Sequence, residues 1–317
     1  MRAVLRVVGA VVLLAAAGAG VFYWNPLWVH DQTIRYHLWR AGVHSAYVQA
    51  GGNRIHYLEA APTDGSAGTP LVLLHGLGSR GEDWTPLIPS LAAAGFHVYV
   101  PDLLGYGRSD RPDRVYSVAL EEGVVVDTMH ALGLTHADLD GWSMGGWIAM
   151  KIALDHPEMV DRLVLDDSAG LRFQPAFARD AFVPTDADGL RRLMEVLSPK
   201  PATLPPFVVR ATLRRIAREG KVIQQSMDSM ESGSDLMDGR LGGITQPTLV
   251  LWGTEDKLIP MAVGKTMHRE IPGSVFVGVE GCGHLAPREC PKPVLAGTLE
   301  FLKAEPAMRG GERVLER

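Results

Sequence analysis

Cysteine is almost missing from this chain: Cys282 and Cys290 are the only two among 317 residues. Two thiols are too few for a disulfide framework or a four-cysteine zinc site, and neither identifies a redox compartment. A positive charge excess is missing as well. Thirty-six acids outnumber 31 bases, giving a formal charge of -5, whereas wholesale nucleic-acid binding calls for a basic surface. The sequence shows no internal repeat, phosphate-binding glycine loop or metal-ligand cluster, so no cofactor, no metal and no nucleic-acid partner are expected. What is present is ordinary globular composition. With 46% hydrophobic and 21% charged residues, disorder, collagen and coiled coil are excluded, and the length suits one large domain or two small ones.

One long apolar run stands at the start. From Val7 to Trp24 no residue is charged; eighteen residues at about 1.5 Å rise make roughly 27 Å, close to the hydrocarbon thickness of a bilayer. Phe22, Tyr23 and Trp24 close the run, with Trp28 just beyond, as an interfacial aromatic belt does. Residues 1–28 are therefore read as a membrane anchor, a single N-terminal transmembrane helix. The alternative is a secretory signal peptide cleaved among Ala15, Ala16, Ala17, Gly18 and Ala19, but the apolar run continues past that point. Arg2 and Arg6 favour a short tail inside and a catalytic domain outside the cytoplasm, and Arg35 and Arg40 on the other flank blunt that asymmetry.

Residues 29–44 read as a linker helix, with Ile34, Leu38 and Trp39 on one side. Strand patterns begin at Ser45, where Tyr47–Gln49 and Ile55–Leu58 flank the hairpin signal Gly51-Gly52-Asn53. Continuous apolar runs follow at 71–74, 98–100, 139–142, 163–165, 248–252 and 275–277, each the mark of a strand buried on both faces. Helical segments separate them at about 84–94, 117–132, 144–156, 261–270 and 293–303. Such alternation builds a mostly parallel sheet with helices on both faces. The core is assigned to residues 45–169 and 246–304, and 305–317 to a polar tail. Between them, residues 170–245 carry helical periodicity and many prolines without a strong strand. They read as a helical cap over the C-terminal edge of the sheet, where ligands bind in open α/β sheets.

The chemistry gathers at that edge. Gly141-Trp142-Ser143-Met144-Gly145 matches G-x-S-x-G between a strand and a helix. A sharp strand-to-helix turn leaves room only for small neighbours, so glycines flank Ser143, and the hydroxyl stands at the positive end of a helix. An inert serine in a glycine-rich turn is the plain alternative, and the flanking elements argue against it. Serine needs a base, and the base needs an orienting acid. His284 in Gly281-Cys282-Gly283-His284 follows the last core strand. Asp256 follows the strand before it, and Glu255, Asp166 and Asp167 are rival acids. His75, His97 and His156 are read as loop or surface residues. Two N–H donors are required for an oxyanion: that of Met144, after the nucleophile, and that of Leu77 in His75-Gly76-Leu77-Gly78.

In this combination and order, together with Asp102 and Gly105-Tyr106-Gly107-Arg108-Ser109, the motifs resemble the α/β-hydrolase superfamily over roughly Val48 to Leu302. The resemblance implies a structural role for Asp102 and Ser109. It is most similar to bacterial esterases and monoacylglycerol lipases with an N-terminal membrane helix. Haloalkane dehalogenases and epoxide hydrolases carry an aspartate nucleophile where Ser143 stands. Carbon–carbon bond hydrolases often place Trp after the catalytic histidine, where this chain has Leu285.

The cap contributes Phe173, Phe177, Phe182, Leu193, Met194, Leu197, Phe207, Met227, Met230 and Met237, a lid suited to acyl chains, although a cap must also bury its own face. Arg210, Arg214, Arg215 and Arg218 lie beside Val209, Leu213 and Ile216 on an amphipathic helix that either rests on anionic lipid or presents a solvated face. The expected function is hydrolysis of lipophilic carboxylic esters by Ser143, His284 and Asp256. A carbon–carbon hydrolase or peptidase using the same triad, or a non-catalytic ligand-binding protein of this fold, are the alternatives.

Overall fold

The alternation of short β-branched runs with helix-length segments yields one nine-stranded sheet in the computed structural model, which describes residues 2–175, 177 and 179–317. The strands are β1 (His44–Ala50), β2 (Asn53–Ala60), β3 (Thr69–Leu74), β4 (Phe96–Pro101), β5 (Ala137–Trp142), β6 (Val160–Asp166), β7 (Thr248–Gly253), β8 (Val275–Val279) and β9 (Glu312–Leu315). Their spatial order is β1-β2-β4-β3-β5-β6-β7-β8-β9. The β1–β2 hairpin and its β2–β4 junction are antiparallel; every later pairing is parallel. The chain leaves β3 for β4 on one side and returns to β5 on the other, which opens a crevice at the switch point.

The helices are α1 (Arg2–Trp24), α2 (Pro26–Arg40), α3 (Ile88–Ala93), α4 (Val118–Ala131), α5 (Met144–Asp155), α6 (Ala187–Leu197), α7 (Pro206–Ser232), α8 (Met261–Glu270), α9 (Ala286–Glu289) and α10 (Pro291–Leu302). Alternate residues of the buried strands serve opposite faces: Val72 and Leu74 pack with α4, α5 and α8, while Leu71 and Leu73 pack with α3 and α10. That two-sided burial is why these strands read as unbroken apolar runs.

Three segments differ from expectation. The helix expected over 84–94 is divided into a turn of 3₁₀ helix, Gly81–Trp84, and α3; Pro86 and Pro89 lack amide donors, so the helix starts afresh at Ile88. The segment 305–317, read as a polar tail, contains β9. Its Glu-Arg-Val-Leu alternates exposed and half-buried positions at the sheet edge, a pattern too polar to announce a strand. The linker helix begins at Pro26, earlier than its reading.

The run read as a transmembrane helix folds as α1, and the side chains at 2, 3, 5, 9, 12, 14 and 15 within it are not among those described. Among the described residues no helix is long and apolar enough to cross a membrane, so the fold lends the expected span no support. At its end, Phe22 and Tyr23 pack on Phe207 of α7, with ring centroids 5.5 and 5.4 Å apart. Helix α2 is tied down by charge. Asp31 is bidentate between Arg80 and Arg215, at 2.7 Å to each, and Arg35 meets Glu82 at 2.7 Å. Burial alone would raise the Asp31 carboxyl, yet the two guanidinium groups hold it below its ordinary value.

Candidate active site

Ser143 stands on the turn between β5 and α5 with φ 58° and ψ −117°, a left-handed conformation that a non-glycine residue keeps only when its surroundings enforce it. They do so here through close approach. A Cβ on Gly145 would meet the Leu74 carbonyl at 2.2 Å, and one on Gly141 would meet the Gly145 carbonyl at 2.4 Å. The turn is also bonded on both sides: Ser143 N–H donates to Asp166 at 2.9 Å, and Ser143 O accepts from Gly146 and Ala169 at 3.0 Å each.

The structure brings the three side chains expected from the sequence together. His284 Nε2 lies 3.0 Å from Ser143 Oγ, and His284 Nδ1 lies 2.8 Å from Asp256 Oδ2. The other Asp256 oxygen accepts the N–H groups of Leu258 and Ile259 at 2.8 and 2.9 Å, which fixes the carboxylate's orientation. Trp142 holds the histidine from behind, donating Nε1–H to His284 O at 2.7 Å. Its place beside the nucleophile is visible in the sequence, whereas its bond to a loop 142 residues onward is not.

The rival acids lie elsewhere. Glu255 is exposed. Asp166 and Asp140 are fully buried on neighbouring strands, and burial pushes both carboxyls up. Asp167 is fully buried at φ 43°, accepts Gly253 N–H at 2.7 Å and lies against Asp256. Burial and that neighbour raise its carboxyl well above its ordinary value, and its bond to Gly253 makes it a brace between strand ends rather than the partner of the imidazole.

Gly76 sits directly against Ser143, where an added Cβ would be 3.1 Å from Ser143 Cβ. The next residue is Leu77; among the described residues no acceptor takes its N–H, nor that of Met144 at the first position of α5. Leu77 lies on the loop after β3 and lines the same cavity as Ser143, and Met144 opens α5 directly after that serine. His75, read as a loop or surface residue, lies on the loop after β3 but away from the surface. It is fully buried; Nδ1 lies 2.9 Å from Gly76 O and Nε2 accepts Leu103 N–H at 3.0 Å. Burial lowers its pKa, and a neutral ring with its proton on Nδ1 satisfies both bonds and stiffens the loop.

A cavity of about 460 Å³ opens over Ser143 and His284. Phe173, Phe177, Phe182, Leu193, Leu197, Met227 and Met230 of the cap line it. Phe207 instead packs on α1, and Met237 is buried in the core. The cap is pinned to the core by Tyr106 OH against Ser226 Oγ at 2.9 Å and by Trp147 Nε1–H to Asp235 O at 2.7 Å. Of the basic residues on α7, Arg210 reaches Tyr23 OH and Arg214 reaches Trp24 O, each at 3.3 Å.

A second serine–histidine–aspartate chain lies away from the cavity. Ser45 Oγ is 3.0 Å from His56 Nε2, and His56 Nδ1 is 2.7 Å from Asp102. Ser45 sits in regular strand backbone rather than on a strained turn. Ser109 Oγ bonds both His56 N–H and the Asp102 carbonyl, so this set braces the loop after β4. Burial would raise the Asp102 carboxyl, but His56 and the Arg108 N–H hold it at about 2.

Among known proteins, 2-hydroxymuconate semialdehyde hydrolase of Pseudomonas sp. (strain CF600) is 31% identical over 236 residues, covering 70% of this chain and 82% of that one. The crystal structure of a membrane phospholipase A described as a bacterial virulence factor superposes with a TM-score of 0.79 at 28% identity, over 94% of this chain and 97% of that one. A serine hydrolase involved in carbazole degradation, CarC, gives 0.70 at 28%, over 82% and 98%. The sequence model of the alpha/beta hydrolase fold family matches residues 69–289, more than half of the chain, and with the strained Ser143 turn and the switch-point crevice in place, this protein belongs to the α/β-hydrolase superfamily.

Proposed function

We propose that this protein is a serine hydrolase that cleaves carboxylic esters of lipophilic substrates through an acyl-enzyme. The observation that carries the reading is the unbroken chain Ser143 Oγ, His284, Asp256, at 3.0 and 2.8 Å, on the floor of an apolar cavity. With Asp256 holding the proton on Nδ1, Nε2 is free to take the Ser143 proton as Oγ attacks the ester carbonyl. The Leu77 and Met144 N–H groups receive the oxyanion. His284 then protonates the leaving alcohol, and water repeats the sequence to release the acid. Likeness to a membrane phospholipase A supports a lipid ester as substrate.

A second reading, carbon–carbon bond hydrolysis on the same triad, is favoured by the relative named as a 2-hydroxymuconate semialdehyde hydrolase. Such a substrate is anionic and calls for a free cation in the pocket. Of the two cations in the described lining, Arg288 meets Asp83 at 3.3 Å. The wall of Phe173, Phe177, Phe182, Leu193, Leu197 and Met227 favours a lipophilic ester. Turnover of p-nitrophenyl esters of graded chain length, beside dienol-ketone acids, tests the choice. A rate that rises with acyl length and little activity on the acids is expected; the reverse order would select the second reading.

Membrane attachment through α1 is part of this proposal. Val7, Val8, Val11, Leu13 and Val21 of α1 are exposed, uncovered by the described residues of this chain. The Cys282–Cys290 disulfide supports a catalytic domain outside the cytoplasm, where such bonds persist. Protease digestion of intact spheroplasts should remove the domain; protection until lysis would place it inside.

A further inference from the structure

The disulfide encloses the catalytic histidine. Cys282 and Cys290 are bonded across a sequence separation of eight, with Cα atoms 6.3 Å apart, and the segment between them carries His284 together with Leu285 and Arg288, which line the cavity. Both cysteines are buried, at 0% and 2% exposure. The entry side of this loop is well held. Glu255 N–H donates to Cys282 O at 2.8 Å, Trp142 bonds the His284 carbonyl, and Gly253 packs so tightly that a Cβ there would meet Gly283 O at 2.4 Å. On its exit side, the backbone N–H groups of Arg288, Glu289 and Cys290 donate only to Leu285 and Ala286 within the loop itself, and the Arg288 guanidinium reaches Asp83 at 3.3 Å. The disulfide is the covalent link from that side to the end of β8, and Cys290 is also the residue on which α10 starts.

Resting on the hydrolase reading above, we propose that the Cys282–Cys290 disulfide is a positioning element of the reaction: it holds the His284 imidazole over Ser143, beyond any contribution to global stability. The Nε2–Oγ distance of 3.0 Å leaves little slack, and a displacement of about 1 Å in a reacting group is worth on the order of 10²-fold in rate. With the covalent link cut, a loop tied on its exit side by the half-exposed Arg288–Asp83 pair spends part of its time with that bond open. The loss then falls on proton transfer and not on binding, because most of the cavity wall comes from the cap and the sheet edge.

Two double variants of the full-length chain test this, Cys282→Ser/Cys290→Ser and Cys282→Ala/Cys290→Ala; agreement between them assigns the effect to the lost link rather than to a new hydroxyl or a void. The readouts are the rate of fluorophosphonate labelling at Ser143, kcat and KM on a p-nitrophenyl ester, and the acid limb of the pH profile, all far below the melting temperature. Labelling and kcat should fall about 10-fold or more, with KM within threefold and the acid limb displaced. Folded variants that label at the wild-type rate with an unmoved acid limb would overturn the proposal. If neither variant folds, the wild-type protein is reduced in place by a water-soluble phosphine. The disulfide takes two electrons and two protons, water supplies oxygen to the phosphine, and intact mass follows the two thiols; the same fall in labelling supports the proposal and an unchanged rate overturns it. Wild-type protein that takes no label at all would count against the hydrolase reading instead, which separates the two failures.

Discussion

Replacing Asp256 by asparagine tests how the imidazole is held. The N–H groups of Leu258 and Ile259 both point at Oδ1, at 2.8 and 2.9 Å, so the amide of the variant must keep its oxygen there. Its NH2 group then faces His284 Nδ1 across the 2.8 Å now spanned by the carboxylate bond. An amide donor makes Nδ1 an acceptor and moves the ring proton to Nε2, where it opposes Ser143 and cannot accept the hydroxyl proton. Flipping the amide offers no relief, because it would set N–H against two backbone N–H groups. The wrong tautomer is thereby locked in, and kcat should fall by about 10⁴, or roughly 5 kcal/mol of transition-state stabilisation. Melting temperature should change little, since both backbone bonds survive. Asp256→Ala should instead lose stability, about 1–3 kcal/mol for each N–H left unsatisfied. Asp167→Asn is the control: Asp167 bonds Gly253 and not His284, and burial already disfavours its charged form, so the amide should keep kcat within about threefold. Steady-state turnover with thermal melts reads all three. An Asp256→Asn enzyme above a tenth of wild-type activity, or an Asp167→Asn enzyme as damaged as it, would refute the reasoning.

Other consequences follow from packing and burial. Gly145→Ala forces a Cβ to 2.2 Å from the Leu74 carbonyl and should lower both expression of folded protein and turnover, by more than about 4 kcal/mol in stability. Gly123→Ala, in α4 with nothing within 4 Å of the added carbon, should raise stability by roughly 0.5–1 kcal/mol in denaturant melts; reversed signs would mean the backbone contacts are wrongly placed. Glu121 has its carboxyl pushed up to about 8 by burial from an ordinary 4.5. Between those pH values the folded state keeps a proton the unfolded chain has lost, so stability falls as pH rises through that window. Glu121→Gln should match wild type near pH 4 and exceed it by roughly 3–5 kcal/mol above pH 8; parallel stability curves would contradict this.

Local chemistry made much of this readable in advance. The apolar runs at 71–74, 98–100 and 163–165 could only be strands covered on both faces, and glycines around Ser143 could only mark a turn with no space for side chains. The residues after successive strands, Asp256 and His284, fall at one sheet edge by topology alone. What escaped were relations between distant segments. The Trp142–His284 bond, the buried neutral His75 and the buried brace Asp167 depend on which loops approach which, and composition carries no trace of that. Strand β9 escaped because an edge strand half exposed to solvent is polar. The disulfide escaped because two cysteines eight apart fit a bond, a pair of free thiols or neither.

The most direct measurement is mass spectrometry of protein quenched within the first turnovers of p-nitrophenyl octanoate. An octanoyl adduct on the peptide containing Ser143, absent from Ser143→Ala and accumulating with a burst of nitrophenol, is the expected result. Steady nitrophenol release with no acyl adduct at Ser143, or an adduct on another residue, would contradict acyl transfer through this serine.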